Sequence, residues 1–325
     1  MLINGAFPGP TIQANWGDTI QVKVTNKIAG PEEGTALHWH GFLQKKTPWY
    51  DGVPSVQQCP IAPGKTFTYQ FQADLYGTSW YHSHYSAQYA AGILGPMVVY
   101  GPKNAPYDKD LGPVFLGDHY WTEYFQLVKQ VMTPDAPPPF SDNNLINGKM
   151  DADCSRVPAG TSCIPNAGLS KFTFQTGKTH RLRLINAGAE GTQMFSIDGH
   201  ELTVIANDFV PVVPYKTNVV TLGIGQRTDV LVKAIGKSTD AVWMRSNITC
   251  SLSNQPNALA AIYYDKANTT EVPKSTAQSF APSCVNVSTS ITNSSSSCLL
   301  VYVLVSRHQS LTMSPGCSEQ DYAIL

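Results

Sequence analysis

The sequence predicts an all-β protein made of tandem β-sandwiches. Short segments in which apolar and polar residues alternate, such as Thr19–Thr25 and Thr66–Phe71, recur along the first 265 or so residues, and this period of two is typical of half-buried strands. The 25 glycines and 23 prolines are spread through the chain and suit turns between many short strands. Residues 1–100 contain no long stretch with the apolar spacing of an amphipathic helix.

Residues 1–105 are expected to form the first sandwich. Its strands include Thr19–Thr25, Thr66–Phe71 and a final segment, Gly95–Tyr100, and Pro-Gly turns separate them. This region also carries two closely spaced histidine pairs, His38 with His40 and His82 with His84.

Residues 112–266 are expected to form a second sandwich, after a Gly/Pro-rich linker at 101–113. A short helix is predicted at Gln126–Met132, ended by Pro134. Cys154 and Cys163 bracket a loop that a disulfide could close. The predicted strands of this region lie at Val114–Leu116, Leu145–Gly148, Arg181–Asn186, Leu202–Ile205 and Asp229–Val232.

Residues 267–325 are expected to be a Ser/Thr/Asn-rich and irregular tail. Asn-x-Ser/Thr glycosylation sequons occur at Asn247, Asn268, Asn286 and Asn293. Together with seven cysteines, they predict a secreted protein, although no signal peptide is visible at the start of the chain. The net charge of -1 gives no electrostatic reason to expect nucleic acid or a membrane surface as a partner. The longest apolar run, Leu299–Val305, is far too short to span a bilayer.

The two histidine pairs are the strongest functional signal. In a strand, residues i and i+2 point to the same face, so each pair projects two imidazoles together. If the two strands face each other, four imidazoles converge. Such a site suits copper, zinc, iron or nickel. The alternative is four half-buried histidines with structural roles.

Several motifs resemble the first two domains of multicopper oxidases, and fungal laccases in particular. They are Asn4–Ile12, His38–Gly41, Asp51–Pro54, Gln58–Gly64 and Gly77–His84 in the first region, with Asn147–Gly148, Arg181–Ala187 and Gly225–Val230 in the second. The resemblance implies cupredoxin-like Greek-key sandwiches. It also implies a copper-dependent oxidoreductase that oxidises phenols and reduces dioxygen to water, as in fungal pigment or secondary-metabolite pathways.

The resemblance also implies roles for individual residues. His38 would bind the type 2 copper, and His40, His82 and His84 would bind the type 3 pair. Asp51 would assist proton delivery to oxygen, or else be only a turn residue before Gly52. Asp208 would contact the phenol and accept its proton, or else be a solvated loop residue.

The cysteines follow the same comparison. Cys250 and Cys284 match a pair that closes a loop in fungal laccases. Cys59 matches a cysteine that pairs with the third domain of those enzymes, so we expect it to be left over in this chain.

The sequence departs from the family pattern after the second domain. The family's H-P-x-H-x-H-G and H-C-H runs, which supply the other cluster ligands and the type 1 site, are missing from the printed sequence. The third cupredoxin domain is therefore expected to be missing. The alternatives are a truncated, catalytically incomplete copper-binding fragment or pseudoenzyme, a ferroxidase or ascorbate-oxidase relative, and a β-sandwich interaction module with structural histidines.

Overall fold

A computed structural model describes residues 1–29 and 33–285 of the chain. Within them the chain forms seventeen β-strands and one α-helix, which confirms the all-β prediction. In this part of the chain no helix has the length and apolar character needed to cross a membrane.

The first sandwich consists of six strands in two sheets. They are β1 (Ile12–Asn15), β2 (Thr19–Thr25), β3 (Leu37–Trp39), β4 (Thr66–Gln72), β5 (Gly77–Ser83) and β6 (Leu94–Tyr100). One sheet has the order β1-β6-β5-β3, and the other pairs β2 with β4. Buried aromatic side chains, among them Trp39, Tyr69 and Phe71 at no more than 2% exposure, share one apolar core.

The second sandwich follows from residue 109. Its strands are β7 (Lys109–His119), β8 (Asn143–Ile146), β9 (Ser170–Phe174), β10 (Thr179–Asn186), β11 (Gln193–Ile197), β12 (Leu202–Asn207), β13 (Val210–Thr217), β14 (Val220–Leu222), β15 (Arg227–Lys233), β16 (Ala241–Ile248) and β17 (Asn257–Tyr264). A six-stranded sheet, β13-β12-β15-β10-β7-β8, packs against a five-stranded sheet, β14-β11-β16-β17-β9. Leu182, Phe195 and Val230, each fully buried, belong to the core between them.

The helix and the linker differ slightly from the prediction. Helix α1 spans Tyr124–Val131 and starts two residues earlier than expected, because the extended backbone of Glu123 forms its N-cap. Strand β7 starts at Lys109, inside the predicted linker. It starts there because Lys109 pairs with His180 of the parallel strand β10, and this pairing extends the sheet into a polar stretch.

Two disulfides tie loops to the second sandwich. Cys154 pairs with Cys163, and Cys250 pairs with Cys284, so the latter fastens the irregular segment that follows β17. Within the described residues, Cys59 is an exposed free thiol.

The two sandwiches meet through an apolar cluster and a buried polar contact. Trp80 and Phe115 pack together in the apolar cluster. Beside it, the hydroxyl of Thr78 donates to Oδ1 of Asp229 at 2.6 Å and accepts from Nη1 of Arg183 at 3.0 Å. All three polar residues are nearly or fully buried, so the junction excludes water.

Candidate metal centre

Strands β3 and β5 pair antiparallel and place the histidine pairs opposite each other. His38 lies across from His82, and Trp39 lies across from Tyr81. Trp39 and Tyr81 point into the core at 0% and 2% exposure. Because successive strand residues point to opposite faces, the histidines lie on the other face of the sheet. A one-residue slip would drive imidazoles into that core, so the core residues fix the register.

The imidazoles converge as the strand geometry predicts. One ring nitrogen from each of His38, His40 and His82 lies within 4.8 Å of the others, and Nδ1 of His40 is 3.3 Å from Nε2 of His82. His84 lies at the edge of the cluster: its ring centroid is 5.5 Å from that of His38 and 6.0 Å from that of His82. The side chain of His84 is exposed.

Backbone carbonyls orient two of the rings. Nδ1 of His38 donates to the carbonyl of Asp51 at 2.7 Å, and Nδ1 of His82 donates to the carbonyl of Ser83 at 2.9 Å. A carbonyl can only accept, so the proton of each ring lies on Nδ1 and the lone pair lies on Nε2. Hydrogen bonds of this kind commonly orient metal-binding histidines.

Burial keeps two rings of the cluster, His40 and His82, neutral. Desolvation, with a smaller contribution from the positive charge of Arg227, lowers the pKa of His40 to about 2. Desolvation also lowers the pKa of His82 to about 3. Neutral imidazole is the form that binds metals, so these rings can donate at neutral pH without first losing a proton.

Trp80 and Gly225 form the wall behind His40. The indole of Trp80 stacks on the rings of His40 and His82 at centroid distances of 5.1 and 4.2 Å. A Cβ atom on Gly225 would lie 2.8 Å from Cε1 of His40, so only a glycine lets this backbone approach the ring. The second sandwich therefore contributes directly to the shape of the cluster.

Arg227 joins the second sandwich to the strand that carries His82. Its Nε donates to the carbonyl of Thr78 at 3.0 Å, and its Nη1 is 2.9 Å from Oδ1 of Asp208. The guanidinium is 4% exposed, and this burial lowers its pKa. No local pattern places Arg227 at the site, because its partners are distant in the chain. Trp80 was missed, although it lies two residues before His82 on β5 and therefore shares its face.

The two aspartates expected at the site occupy different surroundings. The carboxylate of Asp51 lies 3.3 Å from Nδ1 of His38, beside the cluster. Asp208 has a left-handed backbone, with φ of 54°, and its half-exposed carboxylate accepts the backbone N–H of Arg227 at 3.0 Å.

Other histidines of the described chain lie outside the cluster. Nε2 of His180 accepts the N–H of Gln175 at 3.1 Å, and His200 bonds the hydroxyl of Tyr264 at 2.7 Å. His119 lies in β7, and His308 is outside the described residues.

Two of the four sequon asparagines lie in the described chain. Asn247 is half-buried within β16, and Asn268 is exposed after β17. Asn286 and Asn293 lie outside the described residues.

Two stretches of the sequence match models of one known family. The models, both described as multicopper oxidase, match residues 1–104 and 110–267. The chain belongs to the multicopper oxidase family. Members of this family bind copper, and imidazole side chains such as those of the cluster are donors that suit this metal.

Individual relatives agree with this assignment. Laccase-2 of Botryotinia fuckeliana is 45% identical over 274 residues, covering 83% of this chain and 46% of the relative. Dihydrogeodin oxidase of Aspergillus terreus is 40% identical, covering 83% of this chain and 45% of the relative. The chain thus spans about half the length of these two curated relatives.

Solved structures give the same result for the fold. The laccase of Botrytis aclada superposes with a TM-score of 0.80 at 43% identity, over 89% of this chain and 53% of that one. Fet3p, described as a multicopper oxidase that functions in iron import, gives 0.73 at 29% identity, over 86% of this chain and 50% of that one. The tandem cupredoxin-like fold expected from the resemblance is confirmed.

Proposed function

We propose that the protein is a laccase-type oxidase that oxidises phenols and reduces dioxygen to water, in the biosynthesis of fungal pigments or secondary metabolites. The observation that carries the proposal is the convergence of His38, His40 and His82 within 4.8 Å. Sequence identity favours a laccase over an oxidase that functions in iron import. The laccase of Botrytis aclada is 43% identical to this chain, and Fet3p is 29% identical.

We assign the type 2 copper to His38 and the type 3 pair to His40, His82 and His84. Copper bound there supplies the one-electron chemistry that reduces dioxygen. Asp51 keeps a carboxylate oxygen 3.3 Å from Nδ1 of His38, where it can hold and deliver a proton.

Asp208 is our candidate for the base that accepts the proton of the phenol. Its side chain is 47% exposed, and one oxygen is anchored by Arg227. The anchor fixes the orientation of the carboxylate, and the exposure leaves it open to a substrate. Thus Asp208 can combine a positioning contact with proton transfer.

The first test of the proposal is copper uptake by the full chain. We expect the parent to bind copper, and the double variant H82A/H84A to lose that binding, because two imidazole donors are removed. The matched control is His119→Ala, which removes an imidazole from β7 in the second sandwich and should leave uptake unchanged. Equal uptake by the parent and H82A/H84A would reject the site assignment.

The second candidate function is copper binding without turnover. A type 1 blue site needs a cysteine together with two histidines, and the cluster formed by His38, His40 and His82 contains no cysteine. A blue absorption band with oxygen consumption supports the oxidase. Copper uptake without either supports the binding protein.

We further propose secretion through an oxidising compartment. The two disulfides support it. Glycosylation at the exposed Asn268 is part of the same proposal. The mass of the secreted protein before and after removal of N-glycans tests secretion and glycosylation.

We also propose that the chain is divided into domains at residues 1–105 and 112–266.

A further inference from the structure

Gln88 is a buried amide next to the histidine strands that the proposed copper chemistry does not use. It lies in the short 3-10 helix Gln88–Ala91 that follows β5, and it is 0% exposed. A buried amide has two N–H donors and two acceptor lone pairs to satisfy. Its partners therefore show what it holds together.

All four hydrogen bonds of the Gln88 amide are made. Its Oε1 accepts from the hydroxyls of Thr35 at 2.5 Å and Ser83 at 2.7 Å. Its Nε2 donates to the carboxylate of Glu33 at 2.6 Å and to the carbonyl of Gly34 at 3.2 Å. A carboxylate and a carbonyl only accept, so turning the amide over would place its oxygen against these two acceptors. The observed orientation is therefore the one that the network allows.

The two hydroxyls lie on the segments that carry the metal-site histidines. Ser83 separates His82 from His84, and Thr35 lies three residues before His38. Strand β3 is only three residues long, so the backbone ladder between β3 and β5 is short. The amide of Gln88 adds a side-chain bridge next to this ladder.

His84 depends most on this bridge. The rings of His38 and His82 are each held by a backbone carbonyl. Among the described residues we find no hydrogen bond to the ring of His84, whose backbone N–H donates to the carbonyl of Ala36 at 3.2 Å. The position of the His84 ring thus follows from the backbone at Ser83, which Gln88 holds.

We propose that Gln88 is a positioning residue for copper binding. By joining Thr35 to Ser83, its amide sets the spacing between the two histidine pairs and places the ring of His84 at the cluster. The inference rests on the proposed function, because it assumes that these histidines bind copper.

The test compares two buried amides in the full chain. Gln88→Met removes the bridge while keeping most of the side-chain volume. Gln193→Met is the matched control: Gln193 is also 0% exposed, and its amide bonds Asn144 and Ser246 within the second sandwich. Both variants should unfold at a lower temperature than the parent, because each leaves buried polar partners unsatisfied.

Copper binding separates the two variants. We expect Gln88→Met to bind Cu²⁺ about tenfold to a hundredfold more weakly, as for other residues that orient metal ligands, with an altered electron paramagnetic resonance spectrum. Gln193→Met should keep the affinity and spectrum of the parent. If Gln88→Met also keeps both, Gln88 is structural only and the inference is wrong. A parent that binds no copper instead overturns the proposed function, and this inference with it.

A charge exchange provides a second test if Gln88→Met does not fold. Gln88→Glu turns an oxygen towards Glu33, and the two carboxylates repel, so copper binding should weaken. Adding Glu33→Gln replaces the opposing carboxylate by an amide that can donate. We expect the double variant to recover most of the copper affinity. No recovery in the double variant would contradict the inference.

Discussion

At Gly52 there is no room for any side chain. An added Cβ would lie 1.7 Å from the carbonyl oxygen of Leu37 and 2.8 Å from the backbone nitrogen of His38. The backbone of Gly52 is also left-handed, with φ of 86°. The turn after Asp51 therefore lies directly against the strand that presents the first histidine pair.

We predict that Gly52→Ala destabilises the chain and weakens copper binding. The left-handed backbone alone costs an L residue about 1–2 kcal/mol, and forcing β3 away from the turn adds about 1–3 kcal/mol. The measurements are the midpoint of urea unfolding and the affinity for Cu²⁺.

The matched control is Gly64→Ala. Gly64 has a similar φ of 73°, but an added Cβ would have no neighbour within 4 Å. This variant should show the cost of the backbone strain without a change in copper affinity. If the two variants behave alike, the contact between Gly52 and β3 is not what positions His38.

Only part of the site was predictable at the residue scale. The spacing of His38 and His40, and of His82 and His84, predicted convergence because strand residues two apart share a face. The contact of Gly225 with His40 was not predictable, because it depends on how two sandwiches dock, which no local pattern in the sequence encodes. The stacking of Trp80 on His82 follows from the same spacing of two on β5, although only the histidines were assigned to the site.

At the scale of elements, local patterns identified strands with clear alternation and missed others. Strand β13, Val210–Thr217, contains Pro211 and Pro214, and proline normally counts against a strand. It is tolerated here because β13 is the edge of the six-stranded sheet. Strand β11, Gln193–Ile197, is buried at every position, so it lacks the alternation by which strands are recognised.

The two disulfides should differ in their contribution to stability. Cysteines 154 and 163 are 9 residues apart, and cysteines 250 and 284 are 34 apart. In the loop-entropy account, the longer loop loses more freedom in the unfolded chain. We predict that C250S/C284S costs about 1 kcal/mol more than C154S/C163S, measured by guanidinium unfolding.

The shorter loop serves as the control, because both double variants replace the same number of cysteines. An equal or larger loss for C154S/C163S would show that the loop-entropy argument fails here. The contacts of the segment after β17, such as the hydroxyl of Thr249 with the carbonyl of Ser283, would then hold the segment without the disulfide.

At the scale of the whole molecule, the junction between the sandwiches centres on Thr78. We predict that Thr78→Val, which keeps the shape and removes the hydroxyl, costs about 1–3 kcal/mol because Asp229 and Arg183 lose a buried partner. The thermal unfolding transition should shift to lower temperature and broaden or split, as one sandwich melts before the other. Differential scanning calorimetry measures both changes.

Thr66→Val is the control for this prediction. Thr66 lies on β4 of the first sandwich, and its hydroxyl makes an exposed contact with that of Thr25. This variant should leave the transition close to that of the parent. A Thr78→Val transition that matches the parent in midpoint and width would show that the apolar cluster alone holds the sandwiches together.

Because Gly225 of the second sandwich contacts His40, copper binding and the docking of the two sandwiches are coupled, and each affects the free energy of the other. If seating the second sandwich favours the ring position that binds copper, then bound copper must favour that seating by the same free energy. A metal held by first-sandwich histidines would therefore also protect backbone amides around residues 223–227 from hydrogen exchange. Loosening the junction, in turn, would release copper without any change in its ligands.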